Sequence, residues 1–178
     1  VHLYGDDVRA DGIRLYDPDR GRISWRDRHT GGLREGQGVE YLANQFGEVP
    51  RNRLRRGHAQ HAGWKSMLMD YGGPHYYAVV QWINGHLKAL FHHLFGVYRD
   101  HVLPTGLDHP YLFISMSHGE FGRPWTVGAF NDAFAEALRR IGEEPDAELG
   151  RNPHGLRHRY GQTLVDMGLP PPSIQNTI

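Results

Sequence analysis

His154 and Arg157, two side chains suited to a phosphate, stand three residues apart in the stretch Asn152-Pro153-His154-Gly155-Leu156-Arg157-His158-Arg159-Tyr160-Gly161. A guanidinium offers a planar fork of donors to phosphate oxygens, and an imidazole beside it can donate or relay a proton. The pair therefore points to phosphodiester chemistry on DNA.

Such chemistry needs a rigid support, and the local sequence supplies the signals for one. Asn152 can accept a hydrogen bond from a first-turn amide, Pro153 suits the first helical position, and Gly168 offers a left-handed stop. At about 100° per residue, His154, Arg157, His158 and Gly161 fall on one stripe. Leu156, Tyr160, Thr163, Leu164 and Met167 fall on another, so the spacing predicts a working face and a packing face.

His154-Gly155-Leu156-Arg157 resembles the His-x-x-Arg box of the tyrosine recombinase (phage integrase) family. The segments before it resemble that family in order: His109 to Ser115 (His-Pro-Tyr-Leu-Phe-Ile-Ser), then Gly122-Arg123-Pro124-Trp125, then a helix ending Ala137-Leu138-Arg139-Arg140-Ile141-Gly142. The resemblance covers roughly residues 60 to 178. It implies metal-free strand cleavage, with a tyrosine hydroxyl attacking the phosphate to leave a 3′-phosphotyrosyl link and a 5′-hydroxyl. It also implies integration or recombination of mobile DNA, double-stranded DNA as partner, a homotetramer on two duplexes, and no cofactor.

Residue by residue, the resemblance makes Arg157 the second phosphate-clamping arginine and His154 a phosphate donor or proton carrier. Lys65, in Gly63-Trp64-Lys65-Ser66-Met67-Leu68, matches the hairpin lysine that protonates the leaving oxygen. Two parts of the pattern have no counterpart. Gly32-Leu33-Arg34-Glu35 is similar to the first arginine's segment but follows the first predicted hairpin, so Arg34 is not assigned. The nucleophilic tyrosine is expected beyond Ile178, since Tyr160 lies on the packing stripe. The chain, opening on Val1 and stopping in a new helix after Pro170-Pro171-Pro172, reads as an internal piece of a longer protein, inactive alone.

The 178 residues, 39% hydrophobic and 22% charged, fit one soluble globular domain or part of one. No apolar run approaches the ~20 residues of a membrane span, and no signal peptide opens the chain, so a cytoplasmic protein is expected. The absence of cysteine excludes disulfides, thiolate zinc sites and cysteine nucleophiles. A formal net charge of zero is unusual for a nucleic-acid binder, but the charge is unevenly spread. Arg51, Arg53, Arg55, Arg56 and Lys65 lie in a span without acidic residues, and Arg151, Arg157 and Arg159 cluster with His158. These two patches predict the contacts to a DNA backbone.

The expected fold is α+β, mainly helical with a small three-stranded antiparallel sheet. A β-rich part with the basic loop spans 1–73, and a helical part with the box spans 74–178. Strands are predicted at Val8 to Tyr16 and Arg22 to Trp25, joined by the Asp17-Pro18-Asp19-Arg20-Gly21 turn, and at Ala62 to Asp70. A short helix is predicted at Val39 to Phe46, a long buried helix from His75 to about Val102, and a Thr126-capped helix to about Ile141. Tyr111 to Ser115 reads as a strand or a buried extended segment.

The sequence also admits two other readings. Thirteen histidines, with His58-x-x-His61 and His92-His93, raise a metal-dependent hydrolase, although no His-Glu-x-x-His motif is present. A noncatalytic DNA-binding relative of the same fold is the other.

Overall fold

The computed structural model describes residues 4, 7–10, 12–64, 75–80 and 82–168. It is α+β, with four helices and two separate two-stranded antiparallel sheets among the described residues. The chain divides into two compact units, Val1–Trp125 and Thr126–Ile178.

In the first unit, β1 (Arg14–Tyr16) pairs with β4 (Tyr77–Val79), and β2 (Arg22–Arg26) pairs with β3 (Leu33–Gln37). This corrects the expected three-stranded sheet, in which β1 and β2 formed the hairpin. The Asp17 turn does form: Asp17 Oδ1 accepts from the amides of Asp19 (3.0 Å) and Arg20 (2.8 Å), and the Gly21 amide donates to the Asp17 carbonyl (2.8 Å). It carries the chain from one sheet to the other instead of folding β1 back on β2. Asp27 builds the same turn between β2 and β3, accepting from His29 N (2.8 Å) and Thr30 N (3.0 Å), with Gly31 at φ 70°. β3, Leu-Arg-Glu-Gly-Gln, has little strand propensity; its ladder with β2 and the Arg34–Asp27 ion pair (2.6 Å) hold it.

Helix α1 (Gly38–Phe46) opens with a Gln37/Glu40 capping box, closes on Gly47 at φ 68°, and matches the predicted short helix. Its Leu42 is fully buried, in a cluster with Tyr4 and Tyr111.

Helix α2 (Gly85–His101) starts ten residues later than the periodicity suggested, because 77–79 is strand β4 and Asn84 supplies the cap, accepting from His86 N at 2.7 Å. None of its residues is fully buried, another correction. Phe91, Phe95 and Tyr98 pack on the Ile13/Leu112 core, while Leu87, Leu90, Leu94 and Val97 stay exposed. The Tyr98 hydroxyl donates to the Leu112 carbonyl (2.8 Å) and accepts from Ile114 N (3.2 Å), fixing the buried segment 111–114. That segment is extended, as expected, and makes only isolated bridges, Tyr4 with Tyr111 and Ile114 with Pro124. Of the predicted third strand, 62–64 is not strand and Lys65 to Asp70 lies outside the described residues.

The second unit carries two helices among the described residues. Helix α3 (Val127–Arg140) begins where expected, with Thr126 Oγ1 accepting from Ala129 N (3.0 Å), and helix α4 (Pro153–Asp166) follows. Between them Asp146 accepts from Glu148 N (2.8 Å) and Leu149 N (3.0 Å), and Asp146 and Arg151 bridge. None of the described helices is long and apolar enough to cross a membrane.

Candidate functional site

Helix α4 has the ends its sequence promised. Asn152 Oδ1 accepts from Gly155 N at 2.7 Å, Pro153 takes the first turn, and Gly168 adopts φ 81° just past the C-cap, Met167. Gly155 is required by a close approach: a Cβ there would overlap the Gly150 carbonyl oxygen and lie 2.7 Å from the Gly150 Cα. The loop thus folds down on the first turn of α4, with Gly150 itself at φ 69°. Only a residue without a side chain between His154 and Leu156 permits this packing.

The predicted faces of α4 are rotated. Gly161 and Leu164 are buried and Arg157 and Tyr160 half-buried, whereas Leu156 and Met167 are exposed, at 53% and 58%. Arg157 is therefore half-buried, on the same stripe of the helix as buried Gly161 and Leu164. Gly161, which the spacing put on the working stripe, is covered. His154 and His158 flank this face and are exposed.

His154 and His158 meet directly. Their Nε2 atoms are 2.9 Å apart and their rings stand at 80° with centroids 4.4 Å apart. One ring must donate and the other accept, which holds the two imidazoles in opposite tautomers. Arg157 makes no hydrogen bond or ion pair among the described residues, so its five donors are uncommitted. His154 also lines a cleft of about 460 Å³ with Arg151, Asn152, Pro153, Pro145, Phe134 and neighbouring residues of α3. Arg151 is tied to Glu143 at 2.8 Å and Arg159 is exposed without an ion pair among the described residues.

The second predicted basic patch is divided by the fold. Arg51 is 2% exposed: its Nε donates to the Gln60 carbonyl (2.7 Å), a terminal nitrogen donates to the Trp125 carbonyl (3.1 Å), and its guanidinium lies 5.2 Å from the Tyr111 ring centroid. Burial pulls its pKa down from the ordinary value. Arg51 is thereby removed from the DNA-contacting set; it is a tie between the 51–62 loop and the core. Arg53 is held by Asp19, which also accepts from Asn52 (2.9 Å). Arg55 and Arg56 are exposed and without ion pairs among the described residues. Lys65 lies outside the described residues, so the structure gives it no position relative to Arg157.

Two of the histidines first considered as ligands serve the backbone. His58 Nδ1 accepts from Gln60 N (3.1 Å), and His61 Nδ1 donates to the Leu54 carbonyl (2.9 Å). Buried His109 donates from Nε2 to the Gly122 carbonyl (2.8 Å) and accepts at Nδ1 from Tyr111 N (3.2 Å). No group of three or more His, Cys, Asp or Glu is placed to hold a metal ion among the described residues.

The sequence missed the His154–His158 contact, although i and i+4 on a helix are neighbours and the spacing was visible. It also missed the steric demand at Gly155, which depends on where the preceding loop lies. Comparison of the chain with family models, with curated proteins and with solved structures gives no match in any of the three.

Proposed function

We propose that helix α4 is a phosphate-engaging element of a DNA strand-exchange enzyme of the tyrosine recombinase kind, with Arg157 as the clamp and His154 as the donor or proton carrier. The observation that carries the reading is the Arg157 guanidinium, without a hydrogen bond or ion pair among the described residues, three residues after His154 and next to His158 on a helix capped by Asn152 and locked at Gly155. A guanidinium without an internal partner is available to a phosphodiester, and a neutral imidazole pair can give one proton and take another. Exposed Arg159, on the same helix, supplies a further cation for a backbone.

No tyrosine among the described residues is assigned as nucleophile. Tyr4, Tyr98, Tyr111 and Tyr160 are all pushed above the ordinary phenol pKa, chiefly by burial, which is the opposite of activation. On the reading that the nucleophile is none of the described tyrosines, the chain alone is expected to bind duplex DNA without forming a covalent adduct. Amide chemical shifts during titration with a duplex test the reading: perturbation centred on 151–159 is expected. Perturbation that spares α4 would overturn it, and so would a covalent adduct abolished by changing a tyrosine of this chain, as regards the nucleophile.

A further inference from the structure

His154 and His158 are exposed, lie at i and i+4 on α4, and bring their Nε2 atoms to 2.9 Å. We propose that this pair chelates a divalent transition metal ion that favours square or octahedral coordination, Cu²⁺ or Ni²⁺. The ion takes the place of the shared proton, which moves to Nδ1 of its own ring, and ties the first turn of α4 to the second.

The first argument is the separation of the nitrogens. Imidazole nitrogens bind such ions at about 2.0–2.1 Å, so two of them on one ion lie about 2.9 Å apart across a right angle and about 3.4 Å apart across a tetrahedral one. The observed 2.9 Å is the right-angle value. Tetragonal nitrogen sites suit Cu²⁺ and Ni²⁺, whereas Zn²⁺ prefers the wider tetrahedral angle.

The second is the donor set. Neutral imidazole is the commonest metal ligand, and a pair of them without carboxylates selects against Mg²⁺ and Ca²⁺, which take oxygen. The cleft that His154 lines has no carboxylate among its lining residues. Arg157 adds positive charge nearby, so the two nitrogens alone must hold the ion, with water in the remaining positions. No third His, Asp or Glu joins them among the described residues.

The third is the support. The Asn152 cap and the close packing of Gly155 on Gly150 fix the backbone beneath both rings, while the rings themselves are exposed and stand at 80°. The terminal torsion of histidine is broad, so the rings can turn both lone pairs toward one ion without moving the helix. The adjacent His92 and His93 lack this geometry, since neighbours on a helix point about 100° apart.

The inference needs only the two rings and stands apart from the reading of α4 as a DNA contact. Calorimetry of the whole chain with Ni²⁺, Zn²⁺ and Mg²⁺, and electron paramagnetic resonance with Cu²⁺, test it. Affinity should fall in the order Cu²⁺, Ni²⁺, Zn²⁺, with no Mg²⁺ binding. His154→Gln and His158→Gln, both on exposed positions, should each weaken Ni²⁺ binding at least tenfold, whereas His92→Gln/His93→Gln and Arg157→Ala should not weaken it. Ni²⁺ should also raise the melting temperature of the parent and leave that of His158→Gln unchanged, because an ion that binds the folded pair stabilises it by mass action. The proposal is overturned if Ni²⁺ does not bind, if Zn²⁺ binds more tightly than Ni²⁺, or if folded His158→Gln binds Ni²⁺ like the parent, which would place the ion on other histidines. Weakened Ni²⁺ binding in Arg157→Ala would also overturn the two-nitrogen site.

Discussion

The Nε2 atoms of His154 and His158 lie 2.9 Å apart, so the two rings share a hydrogen bond across one turn of α4. A hydrogen bond between two ring nitrogens needs one proton between them, and doubly protonated imidazoles would instead present two donors and two positive charges to each other. The Gly155–Gly150 packing and the Asn152 cap fix the backbone that holds this spacing.

From that relationship follows a spectroscopic expectation. Ring nitrogen shifts of the neutral protein should report one of the two residues as the Nε2–H tautomer and the other as Nδ1–H. His158→Ala should release His154 to a mixture of tautomers. Two identical tautomers in the parent protein would contradict the contact.

Arg51 and Arg157 should separate stability from binding. Removing the Arg51 side chain strands two carbonyl acceptors in a covered place, and charged hydrogen bonds contribute roughly 1.5–3 kcal/mol each. Arg51→Ala should therefore lower unfolding free energy by about 3 kcal/mol, measured by denaturant titration, with little effect on DNA affinity of the folded protein. Arg55→Ala should do neither alone beyond a modest loss of affinity. An Arg51→Ala protein as stable as the parent would remove the proposed tie.

Asp27 gives a pH dependence with a definite sign. Amide hydrogen bonds from Thr30 and His29 hold its pKa below the ordinary carboxylate value, with Arg34 adding to the effect. Because the folded pKa is depressed, the contribution is fully present above the unfolded pKa of about 4 and is lost as pH falls through the folded value. Thermal melts of parent and Asp27→Asn should therefore differ at neutral pH and converge as pH falls well below 4. A difference that persists unchanged at acid pH would contradict this origin.

These sites differ in how visible they were beforehand. Helix ends written in local chemistry, Thr126, Asn152-Pro153 and Gly168, were readable because a cap needs only its own neighbours. The strand pairing was not, since β1 takes its partner from 77–79, far along the chain, and β3 is held by Asp27 and its ladder against its own propensity. Charge patches were misread at Arg51 because composition does not distinguish a guanidinium facing solvent from one capped by Gln60 and Trp125 carbonyls. The faces of α4 were rotated for a related reason: periodicity counts Leu156 and Met167 as packing residues, but which side is covered depends on what lies against the helix.

The most direct test of the central claim is the affinity of the chain for a duplex of mixed sequence, by fluorescence anisotropy at several salt concentrations, for the parent, Arg157→Ala and His154→Ala. The account predicts salt-dependent binding by the parent, weakened roughly tenfold in Arg157→Ala with a salt slope shallower by about one phosphate contact, and a smaller loss in His154→Ala. Equal affinity and equal salt slope for parent and a folded Arg157→Ala would contradict it.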